Sequence, residues 1–181
     1  MALLWYLDRA SGLLAYATLY VAVLTGVFYT GEEFGALTRL ARRYHVRLAL
    51  LSTLLFLFHA VVGFADAGLV VTGRVPAPRY PTWYFVVGTA VGGEALLLLV
   101  VAVLGFLDAR RFDRPWTPRV VHALAYGGYA FATVHLFAIG SDVDATARLL
   151  VLVSLAGLAY ALLLRLLAEV GALRVGATES S

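Results

Sequence analysis

Apolar residues run along this chain in five blocks, 10–30, 44–64, 83–107, 117–139 and 147–168, separated by short stretches rich in arginine, aspartate, glycine and proline. Crossing a bilayer takes about 20 mostly apolar residues in a helix, so each block predicts one transmembrane span. The expected fold class is all-α: a multi-pass bundle of five spans forming a single domain over residues 1–181. The connections are too short for a soluble nucleotide- or substrate-binding domain, and no internal repeat is evident. The longest connection, "DAGLVVTGRVPAPRYPT", carries Pro76, Pro78 and Pro81 and is expected to fold as an irregular cap over one end of the bundle. The small, polar stretch 171–181 is expected to be a disordered tail.

Composition places the chain in the same class. It is 62% hydrophobic and 14% charged, with a mean hydropathy of +0.87, more apolar than a soluble domain of this size requires. All 14 basic residues are arginine. They gather between apolar blocks, where they orient spans rather than bind nucleic acid. Ten of them, Arg39, Arg42, Arg43, Arg47, Arg110, Arg111, Arg114, Arg119, Arg165 and Arg174, fall on one side, against Arg9, Arg74, Arg79 and Arg148 on the other. The positive-inside bias therefore predicts an external N-terminus and a cytoplasmic C-terminus in a plasma membrane. Trp83, Tyr84 and Trp116 fit interfacial anchors. The chain has no cysteine, which excludes disulfides, iron–sulfur clusters, thiolate zinc sites and covalently attached haem. "MALLWYLDRA" has no basic n-region and reads as part of the chain rather than a removable signal peptide.

The chemistry lies in four histidines. His45 and His59 enclose "HVRLALLSTLLFLFH" on the second span, and His122 and His135 enclose "HALAYGGYAFATVH" on the fourth. Both spans run in one direction, so order gives depth: His45 matches His122 and His59 matches His135. At about 1.5 Å per residue the members of each helix lie roughly 20 Å apart along its axis, room for two cofactors stacked across a core of roughly 30 Å. Facing imidazoles from two helices are the ligand set of a six-coordinate b-type haem. A zinc or di-metal site is disfavoured, because each depth offers two histidines only. At about 100° per residue His45 and His59 share a face, whereas His122 and His135 are roughly 140° apart. A kink or bulge at Gly127 and Gly128 is therefore expected, opening space for a porphyrin.

On these features the chain resembles the ferric reductase-like transmembrane domain. That domain is shared by ferric reductases, NADPH oxidases and the haem-binding membrane subunit of the bacterial methionine sulfoxide reductase system. The resemblance rests on H-x13-H at His45/His59 and H-x12-H at His122/His135, carried on two spans separated by one. "RASGLLAYATL", the arginines before His45 and "HLFAIGSD" add to it, over roughly residues 9–168. Two features depart from the pattern: many members have six spans, and the large reductases continue into a flavin- and NADPH-binding domain. The resemblance implies an electron-transfer subunit of an oxidoreductase, with two non-covalent b haems. It would be fed by a separate flavoprotein or quinol and would discharge to an extracytoplasmic acceptor, with flavin or quinone entering only through a partner or as a substrate. Two other readings stand beside it: a quinone-linked cytochrome b subunit of a respiratory complex, and a non-redox structural or assembly subunit.

Further candidates surround the histidines. Arg42, Arg43, Arg47 and Arg119 lie at the level of His45 and His122, where they could pair with haem propionates; Arg74, Arg79 and Arg148 are the counterparts at the other level. Glu94 falls near the middle of the third span. A carboxylate there is costly, so it is expected to bond Ser52, Thr53, Thr133 or Tyr129 inside the bundle, or to serve proton compensation or a quinone pocket. Tyr126, Tyr129, Phe131, Phe56 and Phe58 populate the interval between the two levels.

Overall fold

A computed structural model of the chain describes residues 2–29, 31–72, 82–108, 117–140 and 144–179. Five helices follow one another: α1 (Ala2–Tyr29), α2 (Ala36–Val71), α3 (Thr82–Leu107), α4 (Thr117–Ile139) and α5 (Ala145–Glu179). Each contains a stretch long and apolar enough to cross a membrane, and no strand occurs among the described residues. The chain is thus an all-α, multi-pass membrane protein.

Hydropathy placed α3 and α4 within a residue of their observed ends but shortened the other three. A hydrophobic count sees only the part of a helix that lipid selects; α2 begins eight residues earlier than its apolar block, where Arg39, Arg42 and Arg43 suit an interface. α5 likewise stays helical to Glu179 instead of giving way to a disordered tail at 171. Alanine, leucine and arginine sustain it, and no proline intervenes. The capping loop with Arg74, Arg79 and its three prolines lies outside the described residues, as do Arg110, Arg111, Arg114 and Trp116.

The bundle is built from two antiparallel hairpins. α1 and α2 pack along their length, joined by one 3₁₀ turn, Glu32–Phe34. Gly35 turns the chain back at φ +54°, a left-handed conformation that suits glycine, and the Thr38 hydroxyl donates to the Gly31 carbonyl. α3 and α4 form the second hairpin. Their close approach comes from Gly128, whose α-carbon faces Leu99 and the Ala95 carbonyl, and from Gly88, which sits against Ile139. The hairpins meet through Tyr16 and Tyr129, stacked at 5.6 Å. The Tyr16 hydroxyl donates to that of Tyr129 (3.2 Å) and lies 3.0 Å from the Thr133 hydroxyl. α5 starts on an Asp144 cap, whose carboxylate accepts from the Ala147 N–H, and lies against α1, where Arg165 donates to the Val27 carbonyl. Much of α5 remains bare; Leu150 and Val153 are more than 60% exposed, the surface that lipid covers.

Candidate functional site: two histidine pairs across the bundle

α2 and α4 run the same way and bring the four histidines together as two pairs. The His45 and His122 rings are 5.8 Å apart centre to centre, and those of His59 and His135 6.1 Å, each pair near-perpendicular. A metal–imidazole bond of about 2 Å and a ring radius of roughly 1 Å on each side place two imidazoles sharing one metal roughly 6 Å apart. Both pairs have that spacing.

Three of the rings are oriented by backbone carbonyls. His45 Nδ1 donates to the Ala22 carbonyl (3.0 Å), with the Thr25 hydroxyl 3.2 Å away; His59 Nδ1 donates to Asp8 (2.9 Å), and His135 Nδ1 to Gly88 (2.7 Å). A carbonyl only accepts, so the proton sits on Nδ1 and leaves the Nε2 lone pair for a metal. His122 differs: its Nδ1 is buried with no hydrogen-bond partner among the described residues, and Phe106 lies 5.1 Å from its ring. Beside the His45/His122 pair, Val46, Ala49, Leu50, Val103, Phe106 and Leu107 line a small apolar cleft.

Glycine makes room for these rings. A methyl group at Gly26 would meet His45 at 3.2 Å, one at Gly12 would meet His59 at 2.9 Å, and one at Gly92 would meet His135 at 2.6 Å. Sequence reasoning missed all three, although a signal was present. Gly12 and Gly26 stand 14 apart on α1, as His45 and His59 do on antiparallel α2; Gly92 and Gly105 stand 13 apart on α3, as His122 and His135 do on α4.

Gly127 and Gly128 turn out to have another role. α4 is one unbroken α-helix from Thr117 to Ile139. The 140° offset is absorbed without a break in the helix because it straddles the inward face. Ala125 and Ala132, which pack into the core, fall midway between the two histidines, so each imidazole leaves α4 about 70° to either side. Gly127 faces Leu98 and Gly128 faces Leu99, so both serve the packing of α3 on α4.

Glu94 also departs from expectation. It is exposed, and its expected partners bond elsewhere: Ser52 and Thr53 donate to the Ala49 carbonyl, and Thr133 donates to that of Tyr129. Gly88, Gly92, Ala95, Leu99 and Ala102 define the inward face of α3, and Glu94 lies about 120° from it. Arg42, Arg43, Arg47 and Arg119 are all exposed, within one turn of His45 or His122. Arg42 donates to the Tyr29 carbonyl (3.0 Å) and Arg43 lies over Tyr44. Tyr129 and Phe56 are buried between the two levels, whereas Tyr126, Phe58 and Phe131 face outward.

Among the described residues no group of three or more His, Cys, Asp or Glu side chains is placed to hold a metal by itself. Each pair supplies two imidazoles, and any metal there must bring its remaining ligands with it. No curated protein and no solved structure matches the chain. A family model matches residues 3–142, the stretch that carries α1 to α4 and all four histidines, and by that match the chain belongs to the family described as "Domain of unknown function (DUF8596)".

Proposed function

We propose that this protein carries single electrons across the plasma membrane through two b-type haems, one held by His45 and His122 and the other by His59 and His135. The observation that carries the reading is the ring spacing of 5.8 and 6.1 Å, repeated at two depths. The donor set fits the group: two neutral nitrogen ligands per site from facing helices, with a macrocycle supplying the other four. Haem at each pair would supply a reversible one-electron ferric/ferrous couple.

The chain's own residues do the rest. The Ala22, Asp8 and Gly88 carbonyls fix the tautomer and aim Nε2 of three ligands. Gly12, Gly26 and Gly92 let those rings lie close against neighbouring helices. Ser52, Phe56, Leu99, Tyr129 and Ala132 fill the interval between the pairs and exclude water from it. Arg42, Arg43, Arg47 and Arg119 stand where propionates at the His45/His122 level would emerge, and the arginine bias puts that level on the cytoplasmic side.

In this reading a separate cytoplasmic flavoprotein, or a quinol, donates at the inner pair, and an acceptor outside the cell draws from the His59/His135 pair. The resemblance to the ferric reductase-like domain supports the same assignment. The test is a reduced-minus-oxidised visible spectrum of the purified protein and of His135→Ala. The expected result is a b-type signal that falls by about half in the variant. A wild-type protein without a haem band contradicts the proposal.

A further inference from the structure

One difference between the two pairs is a carboxylate. Among the described residues, His59 alone of the four histidines has a carboxylate beside its ring: Asp8 Oδ1 lies 3.1 Å from Nδ1, in addition to the Asp8 carbonyl at 2.9 Å. The contact is partly buried, with 21% of the His59 side chain and 26% of the Asp8 side chain accessible. Oδ1 itself is buried, and no donor among the described residues gives it a hydrogen bond. Gly63 confines it from the α2 side, where a methyl group would meet Oδ1 at 3.0 Å. Asp8 and Ser11 belong to the turn of α1 just before Gly12, and the Ser11 hydroxyl donates to the Asp8 carbonyl. His45 and His135 each bond a carbonyl as His59 does, but among the described residues neither has a carboxylate beside it.

We infer that Asp8 is a positioning residue that sets the two sites apart, making the His59/His135 site the harder of the two to reduce. The inference rests on the haem reading proposed above. A negative charge against the non-coordinating nitrogen makes the imidazole a stronger donor and favours the more positive oxidation state of a metal on its other nitrogen. With haem bound, the His45/His122 site would hold an entering electron more stably than the His59/His135 site. Passage through the protein waits for an acceptor in contact with the far face.

The experiment is a redox titration followed by visible absorbance, on wild type, Asp8→Asn, Gly63→Ala and His135→Ala, all as the full chain in detergent. His135→Ala identifies the wave of the His59/His135 site as the one it removes. Asp8→Asn should move that wave upward by about 60 mV, a tenfold change for one electron, and leave the other in place. Gly63→Ala, which presses on Oδ1 without removing it, should move the same wave in the same direction by less. It also decides the matter if Asp8→Asn fails to accumulate. Two haems whose midpoints both stay put, or a shift confined to the His45/His122 wave, would overturn the role of Asp8 while leaving the haem reading intact. Absence of haem from wild type would overturn both.

Discussion

Gly92 and Gly93 are neighbours in sequence with opposite surroundings. A methyl group at Gly92 would press into the His135 ring at 2.6 Å, whereas one at Gly93 meets nothing within 4 Å. Gly92→Ala must therefore displace the imidazole or the α3 backbone, an overpacking cost of about 1–3 kcal/mol. Gly93→Ala should raise helix propensity slightly. The expected outcome is loss of most of the His135-side haem signal in the first variant and none in the second, read from the visible spectrum of equal amounts of protein. Glu94→Leu should also leave both signals unchanged, because Glu94 faces away from both pairs; a lost or shifted haem band in that variant would place it in the site after all. The four histidines stood out in the sequence because imidazole is rare in lipid. The glycines and Asp8 did not, since a residue that matters for the space it leaves, or for one contact 51 positions away, gives no signal without the partner helix.

At the level of whole helices, spans were readable because lipid demands about 20 apolar residues whatever the packing. Which faces meet was not, because hydrophobicity that runs all round a helix hides its inward side. That is why α4 seemed to need a kink: the angle between His122 and His135 was measured without knowing that Ala125 and Ala132 mark the buried face between them. Gly128 is the residue that lets α3 approach α4, with Leu99 only 2.9 Å from an added methyl. Gly128→Leu should therefore wedge the hairpin open and lower thermal stability by about 1–3 kcal/mol, while Gly127→Ala, at an ordinary 3.4 Å contact with Leu98, should be tolerated. Tyr16→Phe removes the hydroxyl that links α1 to α4 and should cost about 1 kcal/mol. Thermal unfolding in detergent measures all three, and a Gly128→Leu protein as stable as Gly127→Ala would contradict this account of the α3–α4 contact.

For the whole molecule, two parallel helices from different hairpins each place one histidine at each of two depths. Neither hairpin alone forms a site, so incorporation of the cofactor should depend on assembly of the bundle and should stabilise it in turn. The orientation proposed from the ten-to-four arginine bias predicts that a reporter fused to the C-terminus is active in the cytoplasm and silent outside, and the opposite result would reverse the proposed path of the electron. The central claim is that each histidine pair holds one haem. Haem extracted from the purified full chain into alkaline pyridine, and quantified against protein, tests it most directly. The expected stoichiometry is two b-type haems per chain, falling to one in His135→Ala; a wild-type value of zero, or an unchanged value in that variant, would contradict it.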